Sequence, residues 1–240
     1  MKTINSDEKM IGVIGGMGPM ASQLFYRMVT EMTAATTDQD HVKMLILSDT
    51  QMPDRTKAIL SGNTDDVTRR MLSDAILLQS AGCSAIAVTC NTAHYFVDII
   101  QEKISIPFIH MINDTASYLG EICSGDKIAI LATDGTIEIG AYQKALLKEG
   151  LEPYVLSDEG QRNVMYEIYD CIKSGNACDT TIWKKIEKEV LGTGCSKAIM
   201  GCTELSIIKK DESLGEMYVD PMEILARRVI EFTGHKVKEV

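Results

Sequence analysis

Gly82-Cys83-Ser84-Ala85-Ile86-Ala87-Val88-Thr89-Cys90 and Gly194-Cys195-Ser196-Lys197-Ala198-Ile199-Met200-Gly201-Cys202 lie 112 residues apart (83 to 195, 90 to 202) and agree at four of their nine positions. In each, a Gly-Cys-Ser turn leads into a short apolar run, 85–88 and 198–200, of the kind buried on both faces of a parallel sheet. The opening of each half repeats as well. Lys9-Met10-Ile11-Gly12-Val13-Ile14-Gly15 and Lys127-Ile128-Ala129-Ile130-Leu131-Ala132-Thr133 each place a strand ahead of a turn of small residues. Two features recurring in the same order favour an internal duplication over coincidence between similar buried strands. The expected architecture is α/β: two similar lobes related by a pseudo-twofold, each a parallel sheet flanked by helices.

The rest of the chain fits this frame. Residues 10–14 read as the first strand, closed by the turn Gly15-Gly16-Met17-Gly18, and Pro19 suits the first turn of a helix. Further strands fall at 42–47, 85–88 and 107–110, with an amphipathic helix over 65–79. The second half gives strands at 127–131, 153–156 and 198–200, a turn at 133–136, and helices at 139–148, 161–172 and 181–191. A helix over 220–232 closes the chain. Alternating strands and helices imply parallel sheets covered on both faces. The chain crosses between lobes near 113–115 and its last helix returns, so one lobe spans 1–113 plus 212–240 and the other 114–211.

The 240 residues carry a formal net charge of −10, which disfavours DNA and acidic membranes as partners. An acidic ligand would therefore need local positive charge. No stretch reads as a secretory signal or a membrane span. The seven cysteines are an odd count, with no CxxC and no histidine pair at zinc spacing. That pattern points to a reducing cytoplasm, to no disulfide framework and to no structural metal.

Most buried cysteines are inert core, and Cys83, Cys123, Cys171, Cys178 and Cys195 are read that way. Cys90 and Cys202 differ as a pair. Each lies at the C-terminal end of a strand and the start of a helix, the edge where open α/β sheets bind ligands. A helix N-terminus also favours a thiolate. Two such sulfurs facing one carbon across an interlobe cleft suit removal of a proton from one face and its return on the other. The turn Gly15-Gly16-Met17-Gly18-Pro19 offers N–H groups to an anion but is not a dinucleotide fingerprint. Arg55 and Lys173, taken from the sequence alone, are surface charges. His94 reads as structural, and Glu204 as a helix-start carboxylate within reach of a substrate ammonium.

Taken together, Gly15-Gly16-Met17-Gly18-Pro19, Pro53-Asp54-Arg55-Thr56, Cys90-Asn91-Thr92-Ala93-His94, Thr133-Asp134-Gly135-Thr136, Gly201-Cys202-Thr203-Glu204 and Asp220-Pro221-Met222 resemble the aspartate/glutamate racemase family. The resemblance runs from Ile11 to about Phe232. It implies two flavodoxin-like lobes with the active site between them, a homodimer, and racemisation of an acidic amino acid without a cofactor. Cys90 and Cys202 would be its acid and base. It raises Arg55 and Lys173 to carboxylate-binding residues and assigns Asn91, Thr92 and Thr203 to the amino-acid backbone. Met17, Ala93, Thr133, Gly135, Thr136 and Glu204 complete the expected substrate-binding set. Asp134 stands where threonine is expected.

Other readings remain open at this level. A maleate-type cis–trans isomerase or a malonate decarboxylase of the same superfamily also uses cysteine in such a cleft, although a decarboxylase needs only one thiol. A non-catalytic amino-acid sensor would bind without exchanging the α-proton. A pyridoxal-dependent racemase would need a lysine and phosphate site that nothing here resembles.

Overall fold

The computed structural model describes residues 9–238. The first sheet is built from β1 (Ile11–Gly15), β2 (Met44–Ser48), β3 (Ala85–Val88) and β4 (Phe108–Ile109). All its pairs are parallel, in the order β2-β1-β3-β4. The second contains β5 (Lys127–Ala132), β6 (Glu152–Val155), β7 (Lys197–Gly201) and β8 (Tyr218–Val219), also parallel, in the order β6-β5-β7-β8. The two orders are the same order, as the duplication predicts, and the two strands ahead of Cys90 and Cys202 occupy equivalent places.

The helices are α1 (Pro19–Met32), α2 (Arg55–Ser61), α3 (Asp65–Ser80), α4 (His94–Gln101), α5 (Met111–Ile122), α6 (Asp134–Ile139), α7 (Ala141–Lys148), α8 (Asp158–Tyr166), α9 (Thr180–Gly192), α10 (Thr203–Asp211) and α11 (Pro221–Phe232). None among the described residues is long and apolar enough to cross a membrane. Alternation along each central strand divides the core. Ile14 and Val88 pack with Val67, Met71 and Phe96 on one face of the first sheet. Ile11 and Val13 pack with Phe25, Leu225 and Val229 on the other, so α11 covers the first sheet beside α1. The second sheet is likewise covered on both faces. Met111 joins the core of the first sheet while Ile112, Ala116 and Leu119 join that of the second, so α5 bridges the lobes.

Several expectations need correction. The segment 133–136 is a helix start rather than a free turn: the Thr133 hydroxyl accepts from the Thr136 N–H at 3.3 Å and opens α6. The helix expected over 139–148 is divided between α6 and α7 at Gly140, whose left-handed φ of 65° ends α6. The helix expected over 161–172 begins three residues earlier and becomes π-helical over Glu167–Ile172. Strand β8 lies within 212–240 yet pairs with β7, so we place the return to the first lobe at Asp220, where a side-chain cap to the Met222 N–H (2.8 Å) and Pro221 start α11.

The turn after β1 depends on one glycine. Gly16 has φ +86°, and a Cβ there would lie 2.5 Å from the Asp49 carbonyl carbon. The glycine lets this turn press against the chain leaving β2. Gly16→Ala is expected to lower the unfolding free energy by about 3 kcal/mol, from left-handed strain plus backbone overlap. Urea denaturation reads it, and an unchanged midpoint would contradict the close packing of the two turns.

Candidate active site

Cys90 follows β3 by two residues and Cys202 directly follows β7, so the matched topology carries both to the same edge of their sheets. Each is 6% exposed, and the groups around the two sulfurs differ in sign. Cys202 N-caps α10, and its Sγ donates to Glu204 Oε2 at 2.8 Å. Burial raises the Cys202 pKa well above that of an ordinary thiol, and Glu204 raises it further; Lys173 only partly offsets them. Cys202 is therefore held as a thiol.

Arg55 stands beside Cys90. It is the first residue of α2, which Asp54 caps by accepting from the Lys57 N–H at 2.7 Å. Its guanidinium is 8% exposed by residue and donates to the carbonyls of Pro53 (2.9 Å), Met52 (3.3 Å) and Met17 (3.3 Å). Nε is buried without a partner among the described residues. Burial alone would lower the Arg55 pKa. The interaction with the Cys90 sulfur, helped by Asp54 and Glu204, outweighs burial and moves it upward.

Lys173 follows the π-helical stretch and reaches Glu204 Oε1 at 2.6 Å. Its pKa is raised: burial opposes the charge, and Glu204, Cys202 and Cys90 together overcome it. The cation thus acts on both sulfurs. Arg55 and Lys173 supply local positive charge at the site of a chain whose net charge is −10.

Hydroxyls line the lobe boundary. Thr92 Oγ1 lies 3.0 Å from Thr133 Oγ1 and 2.9 Å from Thr136 Oγ1, which are 3.1 Å from each other. Thr92 belongs to the first lobe and the other two to the second. Gly135 lies against the first lobe too, since a Cβ on it would be 2.9 Å from Thr56 Cα. Met17 takes part through its carbonyl on Arg55. Gly18 is close to Glu204, whose Oε1 would be 3.3 Å from an added Cβ. Ala93 is fully buried as the N-cap residue of α4, and Thr203 as the first residue of α10 is 1% exposed. Asp134 is turned to Gln161, accepting from its Nε2 at 2.8 Å.

His94 has the structural place expected. The Met111 N–H donates to its Nε2 at 3.2 Å, which leaves Nδ1 to carry the proton and donate to the Cys90 carbonyl at 2.9 Å. Burial, and then His110, push its pKa down to about 3, so it stays neutral and ties the Cys90 backbone to the start of α5.

Two tyrosines were not among the expected site residues. Tyr169 donates to Asp54 Oδ2 at 3.2 Å, and the Lys173 ammonium lies 5.6 Å from its ring centroid. Tyr142 donates to Asn91 Oδ1. Both join residues of opposite lobes, and periodicity along one helix carries no signal of such a contact.

A thiol on each lobe, one beside a guanidinium and the other on a carboxylate, suits an enzyme that moves protons rather than a binding module. Residues 14–229 match the Asp/Glu/hydantoin racemase family, and the chain belongs to that family: it is an amino-acid racemase. It is 27% identical to a broad-specificity amino-acid racemase of Bacillus subtilis over 205 residues, 83% of this chain and 87% of that one. The solved aspartate racemase of Picrophilus torridus is 28% identical, with a TM-score of 0.80 over 96% of each chain. An aspartate racemase homologue from Pyrococcus horikoshii is 26% identical, with a TM-score of 0.75 over 95% of this chain and 99% of that one. Likeness at that coverage includes both lobes and the boundary between them.

Proposed function

We propose that this racemase interconverts the enantiomers of aspartate without a cofactor, with Cys90 and Cys202 as opposed base and acid. The observation that carries the reading is the unequal setting of the two sulfurs: Arg55 beside Cys90, and Glu204 accepting from Cys202. The two sulfurs thus meet unlike partners, a guanidinium and a carboxylate.

In the forward step the Cys90 thiolate takes the α-proton from one face of the substrate. The electron pair of the broken C–H bond spreads into the α-carboxylate. Hydroxyls of Thr92, Thr133 and Thr136 and the Asn91 amide supply hydrogen bonds there as charge develops. The Cys202 thiol then delivers its proton to the opposite face and becomes the thiolate, which Lys173 stabilises. The exchanged protonation states serve the reverse reaction. Arg55 binds a substrate carboxylate through charged hydrogen bonds. The close burial of these groups keeps water from the carbanion-like state, where fixed dipoles are most effective. The choice of aspartate is supported by the Picrophilus and Pyrococcus proteins. The homodimer implied by the resemblance and the cytoplasmic setting read from the cysteine pattern belong to the same proposal, and sedimentation checks the first.

The purified protein, reduced and without added cofactor, is expected to form D-aspartate from L-aspartate until the enantiomers are equal, as chiral chromatography reads. Glutamate and maleate run in parallel. Turnover of glutamate in place of aspartate would move the substrate, conversion of maleate alone would replace racemisation of aspartate by isomerisation, and bound but unconverted aspartate would contradict the aspartate reading.

A further inference from the structure

We propose that Tyr142 is a positioning residue of the reaction: across the lobe boundary it fixes the Asn91 amide so that Nδ2, rather than Oδ1, faces the substrate carboxylate. This rests on the reading of Asn91 as a substrate-binding residue. Tyr142 lies on α7 of the second lobe and is fully buried. Asn91 follows Cys90 in the first lobe and is 2% exposed. The Tyr142 hydroxyl donates to Asn91 Oδ1, while Asn91 Nδ2 is buried with no partner among the described residues.

An amide has two nearly isosteric orientations, and only its hydrogen bonds choose between them. Here a donor on Oδ1 sends the two N–H groups to the other side. Burial raises the phenol pKa well above its ordinary value, so the hydroxyl keeps the proton it donates. A carboxylate gaining charge as the α-proton leaves is stabilised by N–H donors and repelled by a carbonyl oxygen. The unpartnered donor beside Cys90 is then open to a ligand acceptor, and most buried polar groups do find a partner.

The ring is held as firmly as the hydroxyl. A Cβ on Gly201, the residue before Cys202, would stand 3.2 Å from Tyr142 Cε2 and 3.0 Å from Ala132 Cβ. Tyr142 therefore touches the residue after one reactive cysteine and the residue before the other. It sets the amide relative to both sulfurs without touching the reacting atoms.

Tyr142→Phe retains the ring and removes the hydroxyl. Racemisation of L-aspartate is measured in wild type, Tyr142→Phe, Asn91→Ala and the double variant. Tyr142→Phe is expected to lower kcat/KM by about tenfold or more in the wild-type background, mostly in kcat because the contact strengthens with developing charge. In the Asn91→Ala background the same change should cost less than about twofold, since the group through which it acts is gone. Equal losses in both backgrounds, or no loss in the first, overturn the proposal. The Asn91 side-chain amide resonance, assigned by its disappearance in Asn91→Ala, gives a readout independent of turnover. It should shift in Tyr142→Phe, and an unmoved resonance also overturns the proposal. A wild-type protein inert toward aspartate would instead count against the function above, with the resonance still deciding the role of Tyr142.

Discussion

Cys90→Ser and Cys202→Ser are each expected to lower aspartate racemisation by about 10³-fold, within the range of general acid–base contributions of about 10²–10⁴. A serine hydroxyl fills the sulfur's place but does not ionise near neutral pH. At position 90 the change removes the sulfur that stands beside the Arg55 guanidinium. At position 202 it replaces a thiol that donates to Glu204 at 2.8 Å by a hydroxyl that is a far weaker acid. If each sulfur is acid in one direction and base in the other, both directions of the reaction should suffer in either variant. The double variant should be scarcely slower than either single one, since the two thiols act as a unit. Initial rates from both enantiomers, with thermal melting to confirm folding, check this. A single variant with wild-type rates in both directions would exclude the two-thiol mechanism.

Lys173→Met is expected to lower stability by about 3 kcal/mol and racemisation by about 10²-fold. The Glu204 side chain is 4% exposed and that of Lys173 24%. Losing the cation leaves a carboxylate buried beside the Cys202 sulfur with its counterion gone. Partial exposure of Lys173 places the cost at the lower end of the range for a broken buried pair. Glu204→Gln added to Lys173→Met removes the orphaned charge and should recover most of the stability. Activity should not recover, because the ammonium that supports a thiolate at Cys202 is still missing. Urea unfolding and racemisation rates on the same samples separate the two effects. Recovery of both together would make the pair a structural one.

The repeat around Cys90 and Cys202 is legible in the sequence because a parallel central strand must be short, apolar and followed by a turn at the ligand edge. Strand β3 matches its expected span, and β7 exceeds its span by one residue at each end. Less legible is whatever depends on the other lobe. Arg55 stands in a seven-residue helix whose Asp54 cap is readable, yet only the folded boundary shows the guanidinium next to Cys90. Lys173 looks like a helix-end cation until Glu204 is found at 2.6 Å. Tyr142 reads as ordinary core and proves to bond to Asn91. The break at Gly140 was a local signal, a glycine that can close one helix and start the next, and periodicity across 139–148 masked it. Strand β8 is two residues long, too short to show alternation.

The two-thiol mechanism is tested most directly by isotope placement at low conversion. L-aspartate is incubated in D2O with the reduced protein, and recovered substrate and newly formed D-aspartate are separated and examined by proton NMR and mass spectrometry. Two opposed thiols, one removing a proton and the other delivering a solvent-derived deuteron, predict deuterium at Cα of the D-aspartate while the remaining L-aspartate stays unlabelled. Deuterium entering recovered L-aspartate as fast as D-aspartate appears would mean that one group serves both faces, and would contradict the assignment of Cys90 and Cys202 as opposed base and acid.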